Sequence, residues 1–226
     1  MSSCAQSVVM ADKENPFTNI KYPDHVGAPM KDEHFLRGAT DMHKAAALLK
    51  LDEVDKLLAA GSKDIDTGDV LDQTPLILLS RNHYDPEDVP KAVEMINKLI
   101  AAGATLTHSE SEGFEKGGKI RRDQYGDSVL HLAAMATCKN GHTILKALVD
   151  ALPSETKGKL CGARCKNFGN TTLHWTTLSG DADSCQLLID AGCPLDRKNR
   201  LKETILDYAV KYEHVKLKVK YEALAK

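Results

Sequence analysis

Three histidines, His43, His131 and His174, each stand three residues after a threonine or serine: Thr40, Ser128 and Thr171. A histidine beside a hydroxyl suggests general base chemistry, but that chemistry needs a third orienting group, and none can be placed from the sequence. All three occupy the same position of a repeated motif, which argues against a single catalytic histidine. Cys161-x-x-x-Cys165, with Cys138, Cys193 and His142, is the second constellation. Structural zinc usually shows two closely spaced ligand pairs, and here there is one, so free thiols are expected and no metal. Glu112-Gly113-Phe114-Glu115-Lys116-Gly117-Gly118-Lys119 is glycine-rich but lacks the spacing and the preceding strand of a phosphate loop. The residues thus predict no catalytic site and no cofactor.

What remains is a set of side chains suited to contact. Lys119, Arg121 and Arg122 make a local basic patch flanked by Phe114 and Tyr125. Trp175, the one tryptophan, directly follows His174, with Phe168 in the segment before it. Tryptophan is enriched among interface anchors, yet it also packs between helices, and the sequence leaves both roles open. These seven residues are the candidate partner contacts.

The elements that carry them repeat. From Asn170 to Gly192, apolar residues recur at helical spacing in two bursts, Leu173 and Leu178, then Leu187, Leu188 and Ala191, with Ser179-Gly180-Asp181 between. Thr171 sits at a helix start and Gly192 at a helix end, which predicts two antiparallel helices. Aligned on the threonine, the motif occurs as Thr40-Asp41-Met42-His43, Thr74-Pro75-Leu76-Ile77, Ser128-Val129-Leu130-His131, Thr171-Thr172-Leu173-His174 and Thr204-Ile205-Leu206-Asp207, at intervals of 34, 54, 43 and 33 residues. Two intervals match a period of about 33, and the longer two imply insertions.

On these residues the chain resembles the ankyrin-repeat family. The resemblance implies an all-α solenoid of stacked helix-turn-helix units joined by β-hairpin fingers, over residues 37–226, with repeats near 40–73, 74–127, 128–170, 171–203 and 204–226. It also implies that the motif histidine bonds backbone between neighbouring repeats. Leu49 departs from the pattern, standing where the family usually has glycine. Between repeats two and three, residues 109–122 lengthen the finger, and Asp123 and Gly126 fall on its turn positions. After the second helix of repeat three, Ser154 to Ala163 is expected as a loop. Repeats one and five are expected to cap the stack.

Residues 1–36, with Pro16, Pro23, Gly27 and Pro29, show no helical period and read as an extended arm. Asn15-Pro16-Phe17 and Lys13-Glu14-Asn15 within it match short recognition tripeptides. The chain has 226 residues, 27% charged, with net charge −2, a balance that predicts neither bulk nucleic-acid nor membrane attraction. No apolar run approaches the roughly 20 residues of a membrane span, and the first residues do not form a secretory signal, so a cytoplasmic location is expected. The function implied by the resemblance is a protein–protein interaction module or adaptor binding through fingers and inner helices. The alternative is a structural subunit of a larger, multi-subunit assembly, anchored by the arm and the insertions.

Overall fold

The computed structural model describes residues 38–82, 84–108, 119–120, 126–140 and 142–225. The arm 1–36 and its two tripeptides lie outside the described residues, as do 109–118 and 121–125. Helices pair in chain order: α1 (Asp41–Ala47) with α2 (Leu51–Ala59), α3 (Pro75–Arg81) with α4 (Val89–Ala101), and α5 (Val129–Asn140) with α6 (Thr143–Asp150). After a short α7 (Lys157–Cys161) come α8 (Thr172–Ser179) with α9 (Ala182–Asp190) and α10 (Ile205–Lys211) with α11 (Val215–Leu224). The first helices form an inner row, α1 on α3, α3 on α5, α5 on α8 and α8 on α10, while α4, α6 and α9 pack in series outside it. One apolar core runs the length of the stack, from Met42 to Tyr221. The fold is an all-α repeat solenoid.

Each inner helix starts for the same reason. The free amide of its third residue is taken by a hydroxyl: Thr74 Oγ1 accepts from Ile77 N–H at 3.2 Å, Ser128 from His131 at 3.4 Å, Thr171 from His174 at 3.4 Å and Thr204 from Asp207 at 3.3 Å. Two residues before every cap the backbone is left-handed, at Gly38, Asp72, Gly126, Gly169 and Lys202. Nine residues after the cap it is left-handed again at Leu49, Gly180 and Glu213. Leu49, where glycine is usual, therefore keeps the turn but bears its side chain at φ 54°. Gly126 is required twice over, since a Cβ there would lie 2.1 Å from the Lys166 Cβ. That crowding follows from a backbone bond, Lys166 N–H to Gly126 C=O at 3.3 Å, which ties one turn to the next.

Two departures from the regular pair concern the insertions. Thr107–His108 pairs antiparallel with Lys119–Ile120, so the chain on either side of the 109–118 insertion comes together. Residues 154–163, expected as a loop, contain α7. Its Leu160 and Cys161 are buried, and its two glycines, four residues apart, let it lie against the end of α9. A Cβ on Gly158 would meet Gly192 O at 2.5 Å, and one on Gly162 would meet Pro194 Cδ at 2.5 Å.

These backbone facts give opposite expectations for two substitutions. Lys202 is exposed at φ 67°, a conformation costing a non-glycine residue roughly 1–2 kcal/mol, while glycine adds only about 0.5–1 kcal/mol of unfolded-chain entropy. Lys202→Gly should therefore stabilise the protein by roughly 0.5–1 kcal/mol. Gly158→Ala drives a methyl into backbone and should destabilise by about 1–3 kcal/mol. Chemical denaturation of the two variants should move the midpoint in opposite directions.

Candidate functional site

The histidines are built into the stack from both sides. Nδ1 of His43, His131 and His174 accepts the backbone N–H of Thr40, Ser128 and Thr171 at 3.1, 3.3 and 3.2 Å. An N–H aimed at Nδ1 requires a lone pair there, so the proton sits on Nε2. Nε2 then donates outward, to Gln73 C=O at 2.9 Å, Ala163 C=O at 3.0 Å and Glu203 C=O at 3.2 Å. Gln73 and Glu203 immediately precede the next cap. His131 reaches Ala163 instead of Asn170, the residue before Thr171, whose carbonyl accepts the Cys165 N–H at 2.8 Å. Burial pushes the His174 pKa down to about 4, against the opposing pull of Glu203 and Asp207. In the last repeat Asp207 performs the capping half alone: its carboxylate accepts the Thr204 N–H and hydroxyl, each at 2.7 Å, and these bonds hold its pKa below the usual carboxylate value.

Cys161, Cys165, Cys185 and Cys193 are free and buried. Burial pushes the Cys161 thiol up to about 12 and raises the other three as well. Protonated buried thiols are neither nucleophiles nor metal ligands at neutral pH. Among the described residues, no three His, Cys, Asp or Glu side chains gather where they could hold a metal ion.

Of the seven candidate contacts, Phe114, Arg121, Arg122 and Tyr125 lie outside the described residues. Lys119 begins the short strand that pairs with Thr107–His108. Phe168 and Trp175 come together edge to face, ring centroids 5.6 Å apart, with 7% and 9% of their surfaces exposed. Trp175 is therefore mostly spent on packing the turn against α8, although its Nε1–H has no protein partner.

A group of residues that the sequence pattern did not single out stands at the edge of the stack. The turn before α10 is closed by Asn199, whose Oδ1 accepts the N–H of Leu201 at 2.9 Å and of Glu203 at 3.0 Å. Asp69 does the same for Leu71 and Gln73 at 2.8 and 2.9 Å. Around Asn199, the exposed positions are Arg197, Lys198, Arg200 and Lys202 together with Asp196 and Leu201, and the preceding turn exposes Arg164 and Lys166. Lining up the turns rather than the helices is the signal that would have found them.

Residues 130–220 match the family model of ankyrin repeats, in 3 copies. No curated protein matches the chain.

The buried imidazole makes stability depend on pH. His174 has a folded pKa near 4 and an ordinary value of 6.5, so the unfolded chain binds the proton first as pH falls. Its contribution is complete above about pH 6.5 and is lost progressively toward pH 4, about 2 kcal/mol between pH 7 and pH 5. Denaturation at these two pH values should show a smaller loss for His174→Gln, which does not titrate, than for the unaltered protein.

Proposed function

We propose that this ankyrin-repeat solenoid is a protein–protein interaction module, an adaptor that engages a partner through the turns joining its repeats and through its inner helices. The observation that carries the reading is how its reactive side chains are used. Both ring nitrogens of His43, His131 and His174 are committed to bonds that hold the stack together, and the buried thiols are held protonated. What the scaffold offers outward is a row of turns on a rigid support, the arrangement in which loops carry recognition.

The array extends, on this reading, to residues 40–127, ahead of the matched segment. The cap at Thr74, the bridge from His43 to Gln73 and the left-handed residues at Gly38 and Asp72 repeat the geometry found downstream. The partners are proteins rather than nucleic acid or membrane, in keeping with a net charge of −2. No helix among the described residues is long and apolar enough to cross a membrane. A cytoplasmic location goes with the four free cysteines.

The candidate contacts from Phe114 to Tyr125 give the test. Replacing Glu112–Gly118 by a short Gly-Ser link keeps the pairing of Thr107–His108 with Lys119–Ile120 and changes loop-closure entropy by about 1 kcal/mol or less, so folding should persist. Crosslinked affinity capture from the native cell should lose the partner or retain it weakly. Arg121→Ala with Arg122→Ala should weaken capture less and leave the remainder less sensitive to salt. A folded loop-deleted protein that captures the same partners equally well overturns the role of this finger.

A further inference from the structure

We infer that the edge formed by the two consecutive turns 163–170 and 195–203 is a docking surface for an acidic segment of a protein partner. The inference rests on the reading of the array as a protein-binding module and adds the chemistry of what it binds. Arg164, Lys166, Arg197, Lys198, Arg200 and Lys202 are all exposed there. They form one surface because the turns are bonded to each other, Arg200 N–H to Phe168 C=O at 2.9 Å and the Arg164 guanidinium to Lys198 C=O at 3.3 Å.

The charge on this edge is balanced only in part, Lys198 acting on the neighbouring Asp207 carboxylate. Against six basic residues the two turns hold Asp196 and Glu203, and Glu203 is already engaged by Lys211 at 3.1 Å. The balance of +4 sits in a chain of net charge −2, so the remainder carries −6. None of the six forms an ion pair with a described residue, whereas helix lysines lie beside carboxylates, as in Lys44–Asp41, Lys91–Asp88 and Lys98–Asp55. Cations held side by side by a bonded backbone set up a positive potential that an anionic partner relieves, and complementary potential sets on-rate and register.

An acidic peptide fits better than a nucleic acid. Phe168, the aromatic ring of these turns, is buried against Trp175 and offers no face for a base to stack on. Nucleic-acid domains carry a basic balance over the whole domain, whereas this chain outside the two turns has a net charge of −6. A short extended segment rich in glutamate and aspartate can span the two adjacent turns.

The test uses the full chain and a fluorescent peptide of alternating glutamate, aspartate and serine, followed by anisotropy at low and physiological salt. The unaltered protein should bind, with affinity falling as salt rises. The combined change Arg197→Gln, Lys198→Gln, Arg200→Gln and Lys202→Gln should bind at least about tenfold more weakly and with little salt dependence. Arg197→Lys with Arg200→Lys, which keeps the charge, should retain binding and so separates charge from misfolding. Equal binding by the glutamine variant overturns the inference, and so does tighter binding of a single-stranded oligonucleotide than of the peptide. Salt-dependent self-association without peptide reassigns the surface to a second copy of the chain and also overturns it. If the glutamine variant still captures cellular partners by crosslinking as the unaltered protein does, this edge is idle and the module reading stands. If the unaltered protein captures none, the module reading itself fails.

Discussion

The stack depends on a neutral imidazole bonded at both nitrogens. A buried imidazole is tolerable only when each ring nitrogen has a partner, and the motif supplies one from each side of an inter-repeat boundary. Nδ1 closes the cap of its own helix and Nε2 reaches the backbone of the next unit, so local helix initiation and long-range stacking share one residue. Protonation would put hydrogens on both nitrogens and remove the acceptor the cap needs, and burial, which disfavours the charged ring, drives the His174 pKa down. Ile77 occupies the same place in the second repeat and is fully buried, so that boundary is held by packing of α3 on α5 without the bridge. Asp207 shows the two functions separated, with the cap kept and no bond to a following carbonyl.

This bond also explains how the array takes insertions. Where the interval to the next cap is 34 or 33 residues, the histidine meets the residue just before that cap; where it is 43, it meets Ala163. The acceptor changes and the bridge survives. Extra chain is placed outside the inner row as α7 on the end of α9, and the residues that bracket 109–118 pair with each other. Insertions are therefore cheap in this fold because they leave the bonded row untouched.

The threonines, histidines and glycines made the fold legible, since each encodes a backbone requirement that repeats in phase. Leu49 is the informative exception: the wrong residue type marked the right turn, and the left-handed φ was kept despite it. α7 was not legible because Lys157–Cys161 is too short for periodicity, and it exists through the contacts of Gly158 and Gly162 with a turn some thirty residues on. Residue type also left Trp175 ambiguous, and only the placement of Phe168 beside it makes the pair mainly packing. The basic edge was hidden for a different reason. Its members are scattered singly along the sequence and become neighbours only when two turns bond.

The charges on the turns follow from what a turn needs. A tight turn leaves backbone N–H groups pointing inward, and only acceptors can satisfy them. Aspartate and asparagine are thus drawn into the structure: Asp69 and Asn199 each take two amides, Asp66 takes the N–H of Thr105 at 2.9 Å, and Asp64 takes the Thr67 hydroxyl at 3.3 Å. Lysine and arginine bring only donors, and apart from Arg164, whose guanidinium donates to Lys198 C=O, their heads stay in water. The acidic side chains of the first turn are consequently part of the scaffold, whereas the basic side chains of the last two turns, Arg164 apart, contribute little to it. Charge that the fold does not consume at these positions stays at the surface, on two turns whose backbones are bonded to each other.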